Sequence, residues 1–65
     1  MKLEINGEWQ EVQASTLQDL LDMMDYGDTP VATARNGAFV RKQDRTSTPL
    51  QDDDRIEILV PRQGG

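Results

Sequence analysis

Apolar and polar positions alternate at the start of the chain. Leu3 and Ile5 fall on one side and Lys2 and Glu4 on the other, the two-residue period of a half-buried strand. Asn6-Gly7 follows, the dipeptide best suited to positive φ at both centres of a type I′ turn. "EWQEVQ" then returns as a second strand, so the first unit reads as a β-hairpin. The period next lengthens. Leu17, Leu20, Leu21 and Met24 recur at i, i+3, i+4 and i+7, the apolar stripe of an amphipathic helix that faces a core. Ser15 is placed to cap its free N–H groups, with Gln18 completing a capping box. Asp19 suits the positive end of the helix dipole. Gly27 is placed to end the helix in the left-handed conformation, and Pro30 prevents resumption.

"VATARN" and "AFV" flank a second Asn-Gly, Asn36-Gly37, which predicts a third strand, a tight turn and a short fourth strand. The polar stretch 41–54 reads as a loop with one helical turn and Leu50 tucked beneath the domain. "RIEILV" predicts the last strand, with Ile56, Ile58 and Val60 on one face and Glu57 and Leu59 on the other. Pro61 has no N–H to give a ladder, so pairing stops there. The order ββ-α-β-β-β places one main helix across one face of a mixed sheet of about five strands. This is an α+β, β-grasp (ubiquitin-like) arrangement, with the last strand central beside the first. Residues 1–60 form the domain and 61–65 a C-terminal tail, expected to be disordered when free.

Composition narrows the chemistry. Sixty-five residues make one domain with a small core. There is no Cys, hence no disulfide, thiolate nucleophile or zinc–thiolate site. There is no His, the commonest general base near neutral pH. Net charge is -5, from twelve acidic and seven basic residues, which disfavours nucleic acid and anionic membrane as partners and suits a basic protein surface. No apolar run reaches membrane-spanning length, and "MKLEINGEW" alternates too early for a signal peptide, so a cytoplasmic location is expected.

With no catalytic side chain in view, the tail carries the candidate chemistry. Pro61 to Gly65 spans about 17 Å when extended, enough to enter another protein's active site. Gly64 and Gly65, without side chains, suit a narrow channel. The carboxylate of Gly65 is a poor electrophile until an ATP-using partner converts it to an acyl-adenylate. A sulfur nucleophile then displaces AMP and leaves a thiocarboxylate.

Four stretches taken together, "EINGE", "TLQDLLDMM", "VATARNGAFV" and "PLQDDDRIEILVPRQGG", resemble the ThiS family of sulfur carriers in thiamine biosynthesis over essentially the whole chain. The C-terminal block is the most specific part. Two places depart from the family pattern: Val40-Arg41-Lys42 stands where Val-Pro-Arg is common, and Asp52-Asp53-Asp54 where Asp-Gly-Asp is common. The resemblance implies that a ThiF-like adenylating enzyme modifies Gly65 and that a sulfurtransferase or cysteine desulfurase supplies the sulfur. A ThiG-like thiazole synthase would then receive it. On that view the chain is a carrier and not an enzyme. It needs no cofactor or metal of its own, because ATP and the sulfur donor are used by its partners. Other assignments share the fold and tail: a MoaD-like carrier for molybdopterin or another sulfur-containing product, a ubiquitin-like modifier, or an interaction module with an inert tail.

Gly64, Gln63 and Arg62 are the candidates for tail recognition. Leu59, opposite in direction to Ile58 and close to the tail, is a candidate docking contact. Phe39 and Trp9 read first as core residues and second as partner anchors. Asp52, Asp53 and Asp54 read as a solvated turn, because their spacing fits no metal-ligand pattern.

Overall fold

Two Asn-Gly turns set the sheet. Asn6 and Gly7 take φ of 50° and 86°, and Asn36 and Gly37 take 52° and 85°, the paired left-handed conformation of a type I′ turn. In the computed structural model, which describes residues 1–27 and 29–61, they close two hairpins. The first joins β1 (Lys2–Ile5) to β2 (Glu8–Glu11), and the second joins β3 (Ala32–Arg35) to β4 (Ala38–Val40). Helix α1 spans Leu17–Met23, a 3₁₀ helix covers Lys42–Ser47, and β5 runs Arg55–Leu59. The sheet order is β2-β1-β5-β3-β4. β5 lies parallel to β1 and antiparallel to β3. The last strand is therefore central, as its Ile-Glu-Ile-Leu content predicts, and the whole is the β-grasp arrangement. Among the described residues no helix is long and apolar enough to cross a membrane.

The core joins one sheet face to the helix stripe. Leu3, Ile5, Ile56 and Ile58 from the sheet and Leu17, Leu20 and Leu21 from α1 are all buried. Each such side chain contributes about 1.5 to 3 kcal/mol on burial, so in so short a chain this cluster dominates stability. Met24 is only half-buried against the cluster. Leu50 is buried as expected. Its N–H donates to the Ser15 carbonyl (2.9 Å) and the Leu17 N–H donates to the Thr48 carbonyl (3.0 Å), which clips residues 48–50 to the start of α1. The helical turn expected in the 41–54 loop is the 3₁₀ helix.

Several expectations are corrected in detail. The helix cap is Thr16, not Ser15, and the box partner is Asp19, not Gln18. The Asp19 N–H donates to Thr16 Oγ1 (3.2 Å), and Asp19 Oδ2 accepts the N–H groups of both Thr16 (3.2 Å) and Ser15 (3.3 Å). Helical geometry begins only at Leu17, so the capping side chain is the residue immediately before it. The helix also ends earlier than Gly27. Asp25 takes the left-handed conformation (φ 63°). The Tyr26 N–H donates to the Leu21 carbonyl (3.0 Å) and the Asp25 N–H to the Asp22 carbonyl (3.2 Å), the bond pair of a Schellman motif. Half-buried Tyr26 packs on the core and supplies the apolar contact that completes it. Val60 does not continue the buried row of Ile56 and Ile58. It lies beyond β5 and is exposed.

Candidate functional site

The sheet face away from α1 is open, and the hairpin registers determine what it displays. Leu59 pairs with Ala32, Glu57 with Ala34, and Ala34 in turn with Phe39. Side chains on directly opposed residues share a face. Leu59 and Phe39 therefore stand on the same side, separated by two alanines. They line a shallow depression of about 100 Å³ together with Ala32, Ala34 and Glu57. A second depression beside it is walled by Leu59, Pro30, Val31 and Pro61. Leu59 thus links Phe39 at one end to the root of the tail at the other. Phe39 is 70% exposed and Leu59 67% exposed, so large apolar side chains stand in solvent on strands held rigidly beneath them.

Phe39 and Trp9 are not core residues, which corrects the first expectation for both. The reason is visible in the register. A two-residue turn pairs Ile5 with Glu8 and Glu4 with Trp9, so Trp9 shares the face of Glu4 and not that of Leu3 and Ile5. Thr33 likewise pairs with Val40, leaving Phe39 on the opposite face. Both signals were present once each Asn-Gly was read as a two-residue loop. Trp9 is half-exposed, and the Lys2 ammonium lies 4.9 Å from its ring centroid. The open face therefore has an apolar part formed by Leu59, Ala32, Ala34 and Phe39 and a charged part formed by Lys2 and Glu4 of β1 and Arg55 and Glu57 of β5.

The turn before β5 is exposed at Asp52 and Asp53, as expected, but not at Asp54, a second correction. Asp54 is buried. Its carboxylate accepts from Arg35 Nε (2.7 Å), Asn36 Nδ2 (2.9 Å) and the Gln51 N–H (2.8 Å). Burial pushes this carboxyl up. The bonds from Arg35, Asn36 and Gln51 and the charge of Arg35 outweigh burial and hold it below the usual carboxylate range. Asp52 Oδ1 accepts the Lys2 N–H (2.9 Å), and Asp53 takes φ of 71°. Asp52 and Asp54 thus tie this turn to β1 and to the β3–β4 turn, and among the described residues no acidic cluster is arranged to hold a metal ion. Sequence reasoning also missed Arg45, which is buried under β3. Its guanidinium donates to Thr33 Oγ1 (3.1 Å) and to the Val31 carbonyl (2.6 Å). A lone Arg in a polar stretch carries no sign of such burial.

The expected tail contacts Arg62, Gln63, Gly64 and Gly65, and the expected disorder of that tail, lie outside the described residues. The described chain ends at exposed Pro61, against the apolar part of the open face.

The family model described as "ThiS family" matches residues 3–65. Among solved structures, the chain is similar to the crystal structure of a thiamine biosynthesis protein (ThiS) from Geobacter metallireducens, at 25% identity and a TM-score of 0.84, over 100% of both chains. It is also similar to the solution NMR structure of a thiamine biosynthesis protein from the same organism, at 25% identity and a TM-score of 0.82, over 100% of this chain and 88% of that one. No curated protein gives a significant match.

Proposed function

This chain belongs to the ThiS family, and from that premise we propose that it is the sulfur carrier of thiamine biosynthesis, with Gly65 as the loaded residue. The observation that carries this is the reach of the family match, which runs unbroken from the first strand through Gly64 and Gly65. A ThiF-like enzyme activates the Gly65 carboxylate with ATP, forming an acyl-adenylate and releasing pyrophosphate. A sulfur nucleophile, hydrosulfide or a persulfide on a sulfurtransferase or cysteine desulfurase, attacks the carbonyl carbon and expels AMP. From a persulfide, a thiol then cleaves the sulfur–sulfur bond and leaves the thiocarboxylate. The thiocarboxylate passes its sulfur to a ThiG-like thiazole synthase.

The division of labour suits the residues. The chain has neither Cys nor His, so the nucleophile and the proton-transfer groups come from its partners. Arg62, Gln63 and Gly64 lead Gly65 into those active sites, and the open face bearing Leu59 and Phe39 docks against them. An exposed apolar patch on a rigid sheet is the kind of surface that anchors a transient complex.

The test is intact mass after incubation with ATP, the activating enzyme and a sulfur donor from the same cell. The expected gain equals one oxygen replaced by one sulfur, mapped to Gly65, and is absent from a variant lacking Gly65. No gain with active enzymes would overturn the proposal. A thiamine requirement on gene loss, relieved by the thiazole moiety, identifies the pathway. Normal thiamine synthesis without the protein would remove it.

A further inference from the structure

The central strand β5 and its parallel neighbour β1 differ in how far they run. In their parallel ladder the Glu4 N–H donates to the Asp54 carbonyl (3.0 Å) and the Asn6 N–H to the Ile56 carbonyl (2.9 Å). A continuing parallel ladder would next have the Ile58 N–H donate to the backbone carbonyl of residue 6. The N–H of residue 8 would then donate to the Ile58 carbonyl. Neither happens, because the chain turns away at Asn6-Gly7 into β2. Beside Glu57 and Leu59 this leaves an open groove, lined also by Asn6 and Gly7.

One side chain supplies both missing groups. Asn6 Oδ1 accepts the Ile58 N–H (2.8 Å), and Asn6 Nδ2 donates to the Ile58 carbonyl (3.1 Å). A carboxamide carries the acceptor and donor that a strand backbone would have offered. Ile58 stands immediately before Leu59, three residues before Pro61. On its other side β5 is held by β3 through Ala32 and Thr33. On this side the end of the strand is held by Asn6.

We propose that Asn6 is a positioning residue for the C-terminal tail. Its carboxamide extends the sheet past the end of β1, locks Ile58, and so fixes the direction in which the chain leaves at Pro61. The catalytic consequence rests on the sulfur-carrier reading; the structural part does not. A reactive terminus presented on a short arm loses rate steeply when the root of the arm can swing, since misplacement by about 1 Å costs up to about a hundredfold.

Two variants separate positioning from stability. Asn6→Gly keeps the positive φ of the turn and removes the carboxamide. Asn36→Gly makes the same change in the other hairpin, where the side chain bonds Asp54 and the Arg55 N–H at the far end of β5. Amide exchange is read by NMR relative to the Glu4 amide, and adenylation kinetics are measured with the activating enzyme. In Asn6→Gly the Ile58 amide should exchange about tenfold faster and kcat should fall about tenfold, with KM unchanged because the docking face is intact. Asn36→Gly should leave the Ile58 amide protected and kcat unchanged, although it too destabilises the fold. A protected Ile58 amide in Asn6→Gly would overturn the proposal, as would lost protection with full kcat. If the unsubstituted protein is not adenylated at all, the sulfur-carrier reading fails. Backbone relaxation of Leu59 and Val60 in the two variants then decides the positioning role alone, and equal order in both would reject it.

Discussion

Asp54 shows how much one side chain does in a domain this small. It brings a negative charge out of water and offsets the cost with three hydrogen bonds, two of them from residues 18 and 19 positions away in the chain. That bond set joins the β3–β4 turn to the turn before β5. Because the folded-state pKa is depressed, the stability it contributes is fully present above the unfolded carboxylate value of about 4 and is lost as pH falls through the folded value. Asp54→Asn should cost about 2 to 3 kcal/mol near neutral pH, where hydrogen bonds to a charge are lost or reversed. The gap from the unsubstituted protein should narrow as pH drops below about 4. Denaturant unfolding across that range measures it, and a gap that stays constant with pH would show that the charge is not what stabilises. None of this was legible in "QDDDR". Three adjacent acids look alike until the fold brings Arg35 and Asn36 to one of them, and the same holds for Arg45 beneath Thr33.

Elements were far more legible than their ends. Each Asn-Gly sits between alternating residues, and the helix stripe runs at a clear 3.6-residue period, so strands and helix follow from local physics alone. The ends depend on which of several adequate neighbours does the capping. Ser15 and Thr16 are both good caps, and packing of Leu17 selects the second. At the other end Gly27 is the better left-handed residue, yet Asp25 takes that role because Tyr26 and Leu21 close the Schellman pair there. The substitution Asp25→Gly follows from this. Relief of a side chain at φ 63° should outweigh the greater freedom of glycine in the unfolded chain. The net gain should be about 0.5 to 1 kcal/mol, and thermal unfolding should shift upward by a few degrees. A fall in Tm would mean that the Asp25 side chain contributes something the backbone geometry does not reveal.

At the scale of the whole molecule the two sheet faces have divided roles. One is sealed by α1 and holds the domain together. The other keeps Phe39 and Leu59 in solvent next to the point where the chain leaves the sheet. Removing apolar area that is already exposed should cost the fold little, so these two positions separate docking from stability. Phe39→Thr and Leu59→Thr place a β-branched strand former at each position while deleting most of the apolar surface. Each should change stability by no more than about 0.5 kcal/mol. Each should raise KM for the activating enzyme about tenfold, the effect of losing an anchor contact of about 1.4 kcal/mol. Steady-state adenylation kinetics beside a thermal melt provide both readings. The pattern is the complement of that expected for Asn6→Gly, where kcat moves and KM holds. On the proposed reading the docking face at Leu59 and the tail root at Ile58 are separate devices on adjacent residues of one strand, and that separation is what opposite kinetic signatures would report. If the threonine variants keep both KM and Tm, the partner approaches from elsewhere, and the charged part of the face around Trp9, Lys2 and Glu4 becomes the surface to substitute next.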